Sequence, residues 1–136
     1  YSNIYSKTPS VAYTNEITNP DPTNSTDNAT TYSAKIGLMY VSDYGFAADP
    51  SAWTLTMGSY NNTTATSTNW MYMGYYEWTI LRNISVSDRS FVVDLVGVVY
   101  SYGVSINFGV RPSFNLESST TYVSGSGSMS DPMRLS

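Results

Sequence analysis

Four carboxylates sit where acid–base chemistry could be arranged: Asp43, Asp49, Glu77 and Asp94. Glu77 stands out because it lies between Tyr76 and Trp78, where burial would raise its pKa. A pair of such acids is the one hydrolytic apparatus open to this chain. It contains no His, which removes the commonest general base and neutral metal ligand. It contains no Cys, which removes thiolate nucleophiles, disulfides and thiolate metal sites. Its many serines therefore lack a base to activate them. The "GSGSMS" stretch at 125–130 has no Lys and follows strand residues, so it is not a phosphate loop. No acidic run matches a calcium loop. The plainer role for Glu77 is a strand carboxylate that faces solvent or pairs with an arginine. The expectation is a chain that is not an enzyme and uses no metal or cofactor.

Arg111 is the natural candidate for that pairing. It sits in "FGVRPSFNL", residues 108–116, among Val110, Pro112 and Phe114. A guanidinium in such a setting must be paired or at the surface, because an unpaired buried charge is too costly. Glu77 is the expected partner and Arg111 the expected structural strut.

The elements that must position these residues are short. The chain has 136 residues, enough for one domain with a real core. Six basic residues stand against ten acidic ones, a net charge of −4. That balance argues against nucleic acid, which needs a basic face. No apolar run approaches the ~20 residues of a membrane span, and there is no basic amphipathic helix for a membrane surface. Charged residues make up only 12%, and Ser, Thr, Asn and 13 Tyr dominate, a composition suited to an extracellular surface. The chain begins at Tyr1, which suggests a processed product or an excised fragment.

Residues 1–17 suggest one or two peripheral strands or a loose arm, and 18–32 a linker or long surface loop. A strand is expected at 35–42. Asp49 reads as a cap with Pro50 at the first helical position, and 59–70 as polar loop. "YYEWTIL" reads as a strand with Glu77 near its middle. Residues from Ser90 to Leu116 read as a meander of three or four strands, with turns at Gly97 and at 101–103. "TYVSGSGSMSDPMRL" reads as strand, turn and short closing strand. Trp53, Trp70, Trp78, Met39, Met71 and Met73 are expected in the core. The sequons at Asn24, Asn28, Asn61, Asn62 and Asn83 are read as solvated loop.

Four stretches in order, "AKIGLMYVSDYGFAADPSAW", "NWMYMGYYEWTI", "GVRPSFNL" and "YVSGSGSMSDPMRL", resemble a bacterial and phage surface domain of C-type-lectin-like fold. The variant it is similar to is the one related to formylglycine-generating enzyme and to the variable proteins of diversity-generating retroelements. The resemblance spans about residues 34–135. It implies an α+β scaffold with a small twisted sheet and a binding surface shortly before "GVRP". In those variable proteins that stretch is rewritten at template adenines, mainly in AAY codons, which do not yield Lys, Glu, Gln, Met or Trp. Residues 82–108 contain none of the five, although these make up 14 of the 136 residues. An ordinary valine-rich meander explains the same stretch. The cysteine chemistry of the enzyme relatives is excluded by the absence of Cys. The Glu-Pro-Asn or Gln-Pro-Asp and Trp-Asn-Asp signatures of calcium-dependent lectins do not occur.

The candidate ligand-binding residues are Arg82, Asn83, Asp88, Arg89, Asp94, Tyr100, Tyr102, Ser105 and Asn107. Tyrosine offers wide contact area at little rotamer entropy, which puts Tyr100 and Tyr102 first. Strand alternation from Val104, with Val110 pointing into the core, would turn Ser105 and Asn107 outward. The expected architecture is α+β: an N-terminal arm or linker over 1–32 and a C-type-lectin-like binding domain over 33–136. The expected partner is a protein or glycan on another cell or surface, without nucleic acid or membrane insertion. The alternative is a structural subunit of an extracellular filament or surface layer. In that case strand-forming "YSNIY" and "SVAYT" would mediate self-association through the arm.

Overall fold

The structure is a computed structural model that describes residues 3–17, 34–61, 63–83, 85–128 and 130–136. The expected loop at 18–32 and the sequons at Asn24, Asn28 and Asn62 lie outside the described residues. The chain is mixed α+β, as expected, with a few short helices and three small antiparallel sheets among the described residues. A 3-10 turn, Ile4–Ser6, leads into helix α1, Pro9–Ile17. After β1, Gly37–Leu38, come α2, Val41–Phe46, two 3-10 turns at Pro50–Ala52 and Met57–Ser59, and α3, Thr63–Thr68. The strands β2, Glu77–Arg82, β3, Arg89–Val93, and β4, Val99–Gly103, form the central sheet in that order. β5, Pro112–Ser113, pairs with β1, and β6, Tyr122–Ser124, pairs with β7, Arg134–Leu135. No described helix is long and apolar enough to cross a membrane.

One face of the central sheet packs Leu81, Phe91, Val93 and Val99 against the helices and 3-10 turns. Two tyrosines lie at the centre with no exposed surface, their rings 5.9 Å apart. Buried hydroxyls must find acceptors. Tyr44 donates to the Gly97 carbonyl at 3.0 Å and Tyr60 to the Gly45 carbonyl at 2.9 Å. Burial pushes both phenols above their ordinary range, Tyr60 to about 12. Asn69 bridges the same region, donating to the Tyr44 carbonyl at 2.8 Å and accepting from the Met71 N–H.

Several expectations need correction. Residues 3–17 are not strand or loose arm: they are helical, and Ile4, Pro9 and Ala12 are buried. Pro9 suits the first helical position because its missing N–H is unused there. Gly45 leaves room for it, since a Cβ at Gly45 would lie 2.7 Å from Pro9 Cγ. Ile4 and Ala12 join the core cluster whose other members run from Met39 to Val99, whereas Val11, Tyr13 and Ile17 stay exposed. The strand expected over 35–42 shrinks to two residues before α2 begins. The polar loop at 59–70 contains α3, anchored by Ala65 at 0% exposure. The Asp49–Pro50 signal is met: the Asp49 carboxylate accepts from the Ser51 N–H at 2.9 Å. Met39 and Met71 are buried, but Met73 and Trp70 are exposed, Trp70 at 77%, and Trp53 is partly exposed. Trp53 packs edge-on against Phe46 and donates to the Ala48 carbonyl.

Candidate ligand-binding face

The frame of the site is an ion pair. Arg111 Nε donates to Glu77 Oε1 at 3.1 Å, and Nη2 donates to Glu77 Oε2 and to the Met71 carbonyl, the last at 2.7 Å. This is the expected pairing, with the carbonyl added. It draws the segment after β4 against the start of β2. There the Trp78 N–H donates to the Gly109 carbonyl and the Gly109 N–H to the Tyr76 carbonyl, at 3.0 and 2.9 Å. Glu77 opens β2 and does not occupy its middle. The other three carboxylates also have structural tasks. Asp43 accepts from the Tyr40 N–H, Asp49 from Ser51, and Asp94 from the Val96 and Val98 N–H groups of the β3–β4 turn. No group of three or more acidic residues that could hold a metal occurs among the described residues.

The outer face of the central sheet follows from its register. Trp78, Val92 and Tyr100 form one cross-strand row, and Arg82, Ser90 and Tyr102 another. Between Trp78 and Arg82 the β2 register shifts, a bulge that bends the strand. Val92 has no exposed surface yet lies outside the main core cluster. Its cross-strand neighbours, Trp78 and Tyr100, belong to a cluster of rings. Tyr76 stacks on Phe108, with centroids 4.5 Å apart and planes 10° from parallel. Trp78 and Tyr102 contact the same Phe108 ring at 5.2 and 5.4 Å. Tyr102 also meets Tyr76 and Tyr100, and Tyr100 meets Tyr5. Offset and edge-to-face arrangements like these are the favourable ones for aromatic rings. The hydrogen bond with Tyr76, aided by burial, holds the Tyr102 phenol above its ordinary range. Tyr100 remains 46% exposed, and Tyr75, which precedes Tyr76 in the chain, 70%.

The expected site residues divide accordingly. Arg82, Tyr100 and Tyr102 share the outer face, and Ser105 and Asn107 are exposed in the turn beside it, next to Phe108. The tyrosines lie within β4 instead of flanking a turn at 101–103; the turn follows Gly103, where the Ile106 N–H donates to the Gly103 carbonyl. Residues 104–110 therefore do not alternate as a strand, and Val110 is 63% exposed, not in the core. Asn83 is not solvated loop. It is 6% exposed, donates to Ser101 Oγ at 3.3 Å and accepts from the Ser85 N–H. Arg89 is exposed at the start of β3 and reaches the Ser101 carbonyl at 3.5 Å, on the opposite side of the sheet from Tyr102. Asp88 is exposed in the turn before β3, its carbonyl accepting from the Val104 N–H. Asp94 holds the β3–β4 turn and lies away from the rings' end of β4. Tyr5, Tyr76, Trp78 and Phe108 were not among the expected site residues. The aromatic density of "YYEW" was the available signal for two of them; nothing local marks Tyr5. No protein-family model, curated protein or solved structure matches the chain.

Proposed function

We propose that the chain is a non-enzymatic extracellular ligand-binding domain, of the receptor-binding or adhesin kind, on a C-type-lectin-like scaffold. Its ligand is a protein or glycan on another surface, read by the outer face of β2–β4. The observation that carries this reading is the ring cluster on the outer face of β2–β4, with Tyr100 and Arg82 exposed there. Rigid aromatic side chains with polar tips give contact area at little entropic cost and dominate binding hot spots. Within 82–108, Phe91, Val93 and Val99 are at most 1% exposed, so any diversification of that stretch falls on the exposed positions around them.

The test is a screen of the immobilised chain against arrays of glycans and cell-surface proteins. Tyr100→Ala combined with Arg82→Ala should weaken binding to any partner found by at least about 30-fold, the ~2 kcal/mol of a hot spot. Tyr100 also packs on Tyr5 and Tyr102, so some loss of melting temperature is expected, and binding is compared at a temperature well below the unfolding of both proteins. Binding that survives both substitutions sinks the assignment.

A structural subunit of a filament or surface layer is the second reading, and one observation favours it. Phe114, Leu116, Tyr122, Val123, Met133 and Leu135, around β5–β7, are each 45% to 65% exposed. Apolar surface on that scale marks contact sites when it is contiguous.

A further inference from the structure

Residues 3–17 precede the stretch that the sequence marks for binding by some distance along the chain, yet they reach it in space. The Tyr5 ring lies 5.7 Å from that of Tyr100. Ile4, Pro9 and Ala12 hold the segment in the core, and the Met57 N–H donates to the Lys7 carbonyl at 2.8 Å. The far end of the segment is held differently. Glu16, in the last turn of α1, turns its carboxyl group onto the start of α2. There the Ser42 N–H lies 3.3 Å from both carboxyl oxygens. Ser42 is itself buried, and the charged group facing Glu16 from α2 is another acid, Asp43. Neither ion pair found among the described residues includes Glu16.

We propose that residues 3–17 are a proton-locked part of the binding face. They carry Tyr5 onto Tyr100, and the Glu16 carboxyl group at the α1–α2 seam sets how firmly the segment stays docked. The link to ligand rests on the reading of β2–β4 as the binding face; the lock itself does not. Burial is the main cause that raises Glu16, from 4.5 to about 7, with Asp43 adding to it and the Ser42 bonds opposing it. The docked segment thus holds a proton over an interval in which the undocked segment releases it. Docking is strongest below about pH 4.5, weakens as pH rises through that interval, and levels off above about pH 7. A Tyr5 that loosens with the segment would uncover one flank of Tyr100.

Amide hydrogen exchange of the full chain, corrected for intrinsic rates, tests the lock between about pH 5 and about pH 8.5. Tyr100 ring resonances are followed over the same range. The α1 amides should lose at least about 10-fold in protection across the interval, and the Tyr100 signals should move with them. Glu16→Gln should abolish both titrations and keep the protection seen at low pH. Tyr5→Ala should abolish the Tyr100 response and leave that of α1. Protection that is flat with pH, or that still titrates in Glu16→Gln, overturns the lock. A titrating α1 with a silent Tyr100 overturns its connection to the face. Neither readout uses a ligand, so failure here is separate from failure of the binding screen.

Discussion

Replacing Arg111 with alanine should lower the unfolding free energy by about 3 kcal/mol. The two side chains of the ion pair are only 26% and 12% exposed. Truncating one leaves the Glu77 carboxylate largely dehydrated without its cation, the costly half of a broken buried pair. The Met71 carbonyl loses its donor as well. Lysine should restore little, since one ammonium cannot reproduce the forked contact to both carboxylate oxygens. A paired Arg111→Met, Glu77→Leu variant should lose less than the sum of the single changes, because it removes the stranded charge. Urea unfolding measures each value. The strut also shapes the site: it holds Gly109 against Tyr76 and Trp78, which brings Phe108 onto their rings. Arg111→Ala should therefore weaken binding through lost order at the face. Lost binding with unchanged stability would make Arg111 a contact residue instead.

Gly97→Ala should cost about as much, roughly 3 kcal/mol. Gly97 has φ of +88°, a left-handed conformation that only glycine takes without strain. An added Cβ would lie 2.5 Å from Thr66 Cγ2, 3.0 Å from the Tyr44 hydroxyl and 3.2 Å from the Tyr60 carbonyl oxygen. Tyr44 and Tyr60 lie at the centre of the core, Thr66 is half-buried beside them, and the Tyr44 hydroxyl already donates to the Gly97 carbonyl. The turn has no freedom to move away, because the Asp94 carboxylate grips the Val96 and Val98 N–H groups. Gly127 provides the comparison. Its φ is +82°, but among the described residues a Cβ there meets only the Met133 side chain, at 3.5 Å, so Gly127→Ala should show little beyond the backbone strain of about 1 kcal/mol. Equal losses at the two glycines in thermal unfolding would mean that the contacts around Gly97 are not limiting.

The parts of this fold that were legible in the sequence are those governed by strong local or charge rules. An arginine among apolar residues had to find an acid, and Glu77 was placed to serve. Gly97 marked a turn, Asp49–Pro50 a helical start, and the β-branched runs marked β3 and β4. The helices were hidden for a physical reason. "SVAYTNEI" and "TTATST" are poor in strong helix formers, and their helices exist because small residues, Ala12 and Ala65, fit fully buried positions. Tertiary contact overrode propensity. The alternation assumed from Val104 failed because a turn interrupts it at once, and with it failed the inward placement of Val110. Asn83 read as solvated from its polarity, whereas its amide satisfies Ser101 and Ser85 in a dry setting. The ring cluster drew from positions 5, 76, 78, 100, 102 and 108, a grouping set by strand register and by the Arg111 strut rather than by spacing along the chain.

Hydrogen-exchange footprinting of the chain with its best partner from the binding screen tests the central claim most directly. The outer face of β2–β4 should gain protection, with the strongest changes in peptides spanning 76–82 and 100–108. Protection confined to β5–β7, with that face unchanged, would contradict the claim and favour the structural-subunit reading.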